Sequence, residues 1–234
     1  MSSRKVFRDG FNQPDGSAPS PAFWSHEVGP GAVIGGNNEL ETYVNSRSNS
    51  FIENRILHIR ATENGSGTYN SARIHSVFRQ AFGTWEARLK FASTPGAWPC
   101  WWFLGTNPAS YPLCGEVDAV EVYGTGGSPD TTVWTPQGNR MTHSKCTQWE
   151  GDNLWHTWRV WHDAETGNFQ FYKDGRSYFT VRPSDLPNWC YGDHNPLYMI
   201  LNMAVGGTGG GTPPASEFQA EMLIDWVVAH EGEI

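Results

Sequence analysis

The chain has 234 residues and a formal net charge of −8, with 14% aromatic and 17% charged residues. The acidic balance excludes nucleic acid as the default partner, because phosphate binding needs a basic surface. No apolar run is long enough to cross a bilayer, so we expect no membrane partner, and the aromatic content argues against disorder.

In chain order, short apolar or aromatic runs alternate with Gly- and Pro-rich turns, and no segment sustains the helical period of 3.6 residues. Because neither a repeat nor a linker interrupts them, residues 1–234 are expected to form one all-β domain, a sandwich or a barrel. Lys173-Asp-Gly-Arg176 predicts a tight hairpin. The predicted strands are 39–44, 56–61, 71–76, 83–91, a pair within 98–123, 131–134, 155–161, 168–173, 177–181, 197–205 and 222–228.

The second strand of the 98–123 pair carries three acids, Glu116, Asp118 and Glu121. Side chains alternate between faces along a strand, so Glu116 and Asp118 share one face and Glu121 falls on the other. One extra residue at Ala119-Val120, a β-bulge, returns Glu121 to the face of the first two. Paired carboxyl groups about 5–5.5 Å apart would suit retaining glycoside hydrolysis, whereas the triplet alone also fits a charged solvent face.

Tryptophans accompany these acids on the neighbouring strand. Trp98 and Trp102 share one face, and Trp101 points to the other, where we expect it in the core. If the first face meets the carboxyl groups, the result is a cleft walled by indoles, which suit the C–H faces of sugar rings.

The four cysteines are too few for a disulfide framework, and no zinc motif includes them. A simple hairpin register sets Cys100 near Asp118, which argues against a bond between Cys100 and Cys114. Cys146 and Cys190 lie in loop-like sequence and could pair in a secreted protein.

Several other polar residues are open to two interpretations. Arg73, Asn38 and Asn202 are either cleft donors for sugar hydroxyls or structural residues, and His143 is a cleft residue or a solvated loop histidine. The glycine run 206–212 lacks the Lys-Ser/Thr ending of a phosphate loop and predicts a flexible surface loop. The histidines form no HExxH motif, which leaves catalytic zinc unsupported.

Gly115-Glu-Val-Asp-Ala-Val-Glu121 resembles the bulged catalytic strand of glycoside hydrolase family 16 in its endo-β-1,3-glucanase (laminarinase) form. The resemblance extends in order over 37–43, 69–74, 83–90, 98–105, 201–207 and 222–226.

This resemblance implies a concanavalin A-like β-jelly-roll sandwich with a substrate cleft on its concave face. It implies Glu116 as nucleophile, Glu121 as general acid/base and Asp118 as the group that tunes them. It also implies residues that bind sugars: Trp98 and Trp102 by stacking, and Asn38 and Arg73 through hydroxyl groups in the donor subsites. His143 and Asn202 remain substrate-binding candidates from the sequence pattern alone.

The family's structural calcium is the one metal that the resemblance suggests, and catalysis would need no cofactor. The chain has Gly10 and Asn54 where the family often has Glu and Gly, so Asp225 is the remaining side-chain candidate. Tyr111 stands where the family often has Trp, on the expected acceptor side of the cleft.

The expected activity is retaining endo-hydrolysis of a β-1,3-glucan polysaccharide by a secreted monomer. The N-terminus shows no secretory signal, so we expect that signal to be absent from this sequence. Three alternatives stay open: the same chemistry on mixed-linkage glucan or a β-galactan, transglycosylation, and non-catalytic β-glucan binding.

Overall fold

The computed structural model describes residues 3–65, 67–91, 94–106, 111–124, 128–143, 153–215 and 217–234. Within these ranges lie 18 β-strands, two four-residue α-helices and two short 3₁₀ turns, so the predicted all-β class is confirmed. The strands are β1 (Arg4–Asp9), β2 (Trp24–Glu27), β3 (Gly29–Pro30), β4 (Glu41–Tyr43), β5 (Ser50–Glu53), β6 (Ile56–Glu63), β7 (Tyr69–Ser71), β8 (Arg73–Gln80), β9 (Gly83–Phe91), β10 (Ala97–Gly105), β11 (Glu116–Glu121), β12 (Asp130–Thr135), β13 (Asn139–His143), β14 (His156–His162), β15 (Phe169–Lys173), β16 (Arg176–Val181), β17 (Leu197–Val205) and β18 (Gln219–Glu231). The helices are α1 (Gly31–Ile34) and α2 (Gly207–Gly210), and the 3₁₀ turns are Pro136–Gly138 and Pro183–Asp185.

The strands form two sheets of a jelly-roll sandwich. The larger sheet runs β16-β15-β14-β9-β18-β6-β7-β4-β3, with β1 on β18 and β5 on β6. The smaller sheet runs β13-β12-β11-β10-β17-β8-β2. Pairing is antiparallel except between β4 and β7, and β10 and β11 lie next to each other as predicted.

Period-2 alternation in the sequence builds the core between the sheets. Trp85, Ala87 and Leu89 of β9 point inward, and Trp101 and Phe103 of β10 point toward them. The Trp85 and Phe103 rings lie 5.3 Å apart across the sandwich. Each large side chain buried in this way contributes roughly 1.5–3 kcal/mol. The alternate residues of β10, Trp98, Cys100, Trp102 and Leu104, therefore lie on the outer face of the smaller sheet.

The hairpin predicted at Lys173-Asp-Gly-Arg176 joins β15 to β16. Asp174 and Gly175 both have positive φ, 49° and 77°, as a type I′ turn requires. Edge strands such as β1 and β13 were not predicted, because their pairing depends on β18 and β12 rather than on their own pattern. In the described part of the chain, none of the helices has the length or the apolarity needed to span a membrane.

Candidate active site

The predicted bulge lies in β11. Trp101 pairs with Val120 and Trp102 pairs with Asp118, so Ala119 is the extra residue. The pairing of β11 with β12 shifts over the same interval. The simple register expected for Cys100 is therefore wrong: its partner is Glu121 rather than Asp118. The bulge changes the phase of the strand once, and this places the side chains of all three acids on one face.

These three carboxyl groups line a cavity of about 710 Å³ on the outer face of the smaller sheet. The valines between them, Val117 and Val120, are fully buried in the core. Every strand of that sheet contributes to the cavity. Its wall includes Glu27, Arg73, Trp98, Trp102, Trp134, Arg140 and Asn202.

Glu121 is held by donors at both carboxyl oxygens. The Trp98 indole N–H donates to Oε1 at 3.1 Å, and the Tyr123 hydroxyl donates to Oε2 at 3.2 Å. The thiol of Cys100 lies 3.8 Å from Oε1. Two fixed donors leave this carboxyl little rotational freedom, so its position relative to the cavity is set before any ligand binds.

Asp118 lies between the two glutamates and is 2% exposed. The Trp134 indole N–H donates to its Oδ2 at 3.0 Å. The hydrogen bond between Asp118 and Glu116 raises the pKa of Asp118 and lowers that of Glu116. A protonated acid in this position would donate to its neighbour instead of repelling it.

All three carboxyl groups have raised pKa values. Burial is the largest cause for each, and repulsion from Glu121 further raises the pKa of Glu116. Repulsion from both glutamates keeps the pKa of Asp118 well above its ordinary value. The Arg73 charge and the Asp118 hydrogen bond act in the opposite direction on Glu116 and favour its ionised form. The cluster thus holds protons near neutral pH.

Tyr123→Phe should shift the alkaline limb of the pH–activity profile upward. The Tyr123 hydroxyl lowers the pKa of Glu121 by donating to its ionised form. Without that donor the pKa of Glu121 rises, so a general acid at this position stays protonated to higher pH. The measurement is kcat/KM on a soluble glucan from pH 4 to 10. An unchanged or downward-shifted limb would contradict the role of Glu121 as the titrating acid.

Of the predicted sugar-binding residues, Trp98, Trp102, Arg73 and Asn202 line the cavity. Arg73 is 5% exposed and forms an ion pair with Glu27, Nε to Oε2, at 2.6 Å. Its guanidinium lies over the Trp102 ring, 4.8 Å from the centroid. Four of the six predicted residues are therefore at the site.

Asn38 and His143 are placed differently from the prediction. Asn38 is exposed, has a φ of 61°, and is not among the described residues that line the cavity, where Asn37 stands instead. His143 packs its ring against Phe179 at 5.2 Å and is likewise absent from the described lining. The left-handed turn at Asn38 turns its side chain outward, which strand alternation could not have foreseen.

The predicted surface loop at 206–212 is partly buried. Gly209 and Gly210 are buried, and a Cβ on Gly209 would lie 2.4 Å from the Trp98 ring. Glycine is required there because the backbone of α2 packs directly on the indole. The run therefore supports one wall of the cavity.

The surroundings of Asp225 do not fit a calcium ion. Its Oδ2 accepts a hydrogen bond from Arg88 at 2.5 Å, and the adjacent cavity is also lined by Arg8 and Arg55. No cluster of three His, Cys, Asp or Glu side chains suited to a metal occurs within the described residues. Calcium needs six or more oxygen ligands, and guanidinium groups oppose it.

Cys146 lies outside the described residues. Cys190 has a free thiol whose pKa is raised to about 11 by burial. The predicted pairing of these two cysteines receives no support from the described part of the chain.

Among the site residues that were not singled out from the sequence are Tyr123, Trp134 and Tyr43. Tyr123 follows Glu121 by two positions, so alternation could have identified it. Trp134 pairs with Glu116 across strands, and this requires knowing the register of β11 and β12. Tyr43 comes from the larger sheet, and only the tertiary structure brings it to Asn202.

A jelly-roll sandwich with a cluster of carboxyl groups in the cleft of its smaller sheet defines a class of protein, that of the glycoside hydrolases, which act through paired acids. The chain belongs to glycosyl hydrolases family 16, whose family model matches residues 37–228.

Individual relatives agree with this assignment. The glucan endo-1,3-beta-glucosidase A1 of Niallia circulans is 27% identical, over 97% of this chain and 38% of its own length. The endo-1,3-1,4-beta-glycanase EglC of Rhizobium meliloti is 29% identical, over 97% of this chain and 51% of its own. The laminarinase catalytic domain of Thermotoga petrophila superposes with a TM-score of 0.83 at 27% identity, covering 100% of this chain and 99% of that one. The chain thus spans about half or less of the length of these two curated relatives.

Proposed function

We propose that this chain is a retaining endo-hydrolase of β-1,3-linked glucan. The observation that carries the proposal is the bulge at Ala119, which brings Glu116, Asp118 and Glu121 into one cleft. A strand without it would point Glu121 into the core.

In the first step the Glu116 carboxylate attacks the anomeric carbon while the glycosidic C–O bond breaks. Glu121 transfers its proton to the leaving oxygen, and a covalent glycosyl-enzyme forms. In the second step the Glu121 carboxylate takes a proton from water as the water oxygen attacks the anomeric carbon. The bond to Glu116 breaks as the water oxygen attacks, which restores both acids and retains the β configuration.

Two contacts favour this division of roles. Arg73 and the hydrogen bond with Asp118 lower the pKa of Glu116 against the larger effects of burial and of Glu121, and so favour the charged form that a nucleophile needs. Burial raises the pKa of Glu121, as a proton donor near neutral pH needs. Asp118 keeps its own proton because repulsion and burial oppose its ionisation.

The charge of the cleft favours a neutral polymer. Among the described residues, five acids line the cavity: Glu27, Glu39, Glu116, Asp118 and Glu121. Two arginines join them, Arg73 and Arg140, and the first is already paired with Glu27. A sulfated galactan would meet net repulsion here, whereas a neutral β-glucan would not.

The name of the Niallia circulans relative supports β-1,3 linkages, and that of the Rhizobium meliloti relative supports mixed linkages. Incubation with laminarin, lichenan, agarose and carrageenan, followed by sizing of the products, distinguishes β-1,3-glucan, mixed-linkage glucan and β-galactan as the substrate. We expect rapid shortening of laminarin, slower cleavage of lichenan and no product from the galactans. Stronger cleavage of lichenan would assign the mixed-linkage alternative. Binding of laminarin without any product would overturn the hydrolase proposal in favour of a glucan-binding protein.

Longer products than the starting chains would indicate transglycosylation. The monomeric state, secretion and cofactor-independent catalysis remain predictions from the sequence.

A further inference from the structure

Trp102 is the half-buried indole in the middle of the cleft. It lies on β10 opposite Asp118 on one side and Ile200 on the other. A stacking residue gains most when its ring plane is fixed before the sugar arrives, because ordering a side chain during binding costs free energy.

The indole N–H of Trp102 is hydrogen-bonded within the protein. It donates to Asn202 Oδ1 at 2.7 Å. Indole N–H is only a donor, so the oxygen of the Asn202 amide must face it, and the amide NH₂ must face the other way. That NH₂ donates to the Tyr43 hydroxyl oxygen at 3.0 Å.

Tyr43 anchors this chain of hydrogen bonds in the protein interior. It is 1% exposed and lies on β4 of the larger sheet, whereas Asn202 and Trp102 belong to the smaller one. Its hydroxyl accepts from Asn202 and hydrogen-bonds to the buried Glu41 carboxyl. Glu41 is itself fixed by the Val205 backbone N–H, which donates to Oε2 at 2.6 Å.

The ring of Trp102 is restrained from a second direction by Arg73, whose guanidinium covers one face and is held by Glu27. A sugar can therefore stack only on the face that Arg73 leaves open. The protein thus holds the indole in place by a hydrogen bond at its N–H edge and by the Arg73 guanidinium on one face.

We propose that Tyr43 is a positioning residue for substrate binding, which acts through Asn202 to fix the ring plane of Trp102. Asn202 then serves the stacking residue and is not itself a contact for sugar hydroxyls. This inference rests on the proposed function, because it assigns the cleft around Trp102 to glucan.

A double-mutant cycle on laminarin tests it. Trp102→Ala should raise KM more than about tenfold with kcat within about threefold, because the stacking surface is lost. Tyr43→Phe removes a single hydroxyl and should raise KM by about three- to tenfold, the range expected for one hydrogen bond. In the Trp102→Ala background, Tyr43→Phe should change KM by less than twofold.

Tyr69→Phe is the matched control, since Tyr69 is also buried in a short strand but packs on Phe218 and is not among the described cavity residues. It should leave KM and kcat unchanged. Multiplicative effects of Tyr43→Phe and Trp102→Ala on KM would overturn the inference, as would an unchanged KM in Tyr43→Phe alone.

Asn202→Ala provides a second variant should Tyr43→Phe fold poorly. Without the amide the Trp102 indole N–H loses its acceptor, so KM should rise by about three- to tenfold, and by less than twofold in the Trp102→Ala background. A rise in KM that persists in the Trp102→Ala background would show that the amide contacts sugar directly and would overturn the inference. If the wild-type protein does not cleave laminarin, the proposed function is wrong, whatever the role of Tyr43. The double-mutant cycle is then measured with dissociation constants for laminarin, obtained by affinity electrophoresis, in place of KM.

Discussion

Glu116→Gln is expected to lower kcat on laminarin by about 10⁴-fold or more while the protein stays folded. The amide has nearly the size of the carboxyl group but cannot attack the anomeric carbon, and losing a covalent nucleophile has effects of that order. KM and the thermal unfolding midpoint should change little, because Glu116 lines the cavity and fills no part of the core. Steady-state kinetics and thermal unfolding check both points.

Glu53→Gln is the matched control, since Glu53 is an exposed strand residue at the end of β5, outside the described lining of the cavity. It should retain full activity. A Glu116→Gln protein with more than a tenth of wild-type activity would remove Glu116 from the nucleophile role.

Glu121→Ala is expected to lower hydrolysis of laminarin by about 10²- to 10⁴-fold, the usual contribution of a general acid. The loss should be much smaller in the first step on a dinitrophenyl β-laminaribioside, since this leaving group departs without a proton. The alkaline limb of the pH profile should also disappear, because the acid that titrates there is gone. Pre-steady-state release of dinitrophenol measures the first step.

Azide distinguishes the two glutamates by product configuration. In Glu121→Ala it should attack the glycosyl-enzyme and give the β-glycosyl azide. In Glu116→Ala it should enter from the face that the nucleophile occupied and give the α-glycosyl azide. Exchanged configurations would mean that the two roles are reversed, and NMR of the anomeric proton decides between them.

Much of the site follows from strand alternation in the sequence. It predicts that Trp98 and Trp102 share a face, that Trp101 lies in the core, and that the three acids need a bulge to converge. The structure confirms each of these points. Alternation is a local property of extended backbone, so it can be read without knowing which strands are neighbours.

The prediction was wrong where the backbone leaves that regular form. Asn38 has a left-handed conformation and points outward, and the glycines of α2 pack on Trp98 instead of forming a free loop. The register of Cys100 was also wrong, because the bulge shifts its partner to Glu121. In each case a single residue with unusual backbone geometry changes which side chains meet.

By itself the sequence determined the all-β class, most of the central strands and the three acids of the cleft, since hydrophobic periodicity and residue type are local. Only the tertiary structure decided what surrounds those acids. The donors Trp98 and Trp134, and the connection from Tyr43 through Asn202 to Trp102, join residues that are distant in the chain or belong to different sheets. Hydrogen bonds depend on distances of a few tenths of an ångström, and only the packing of the two sheets sets distances of that kind.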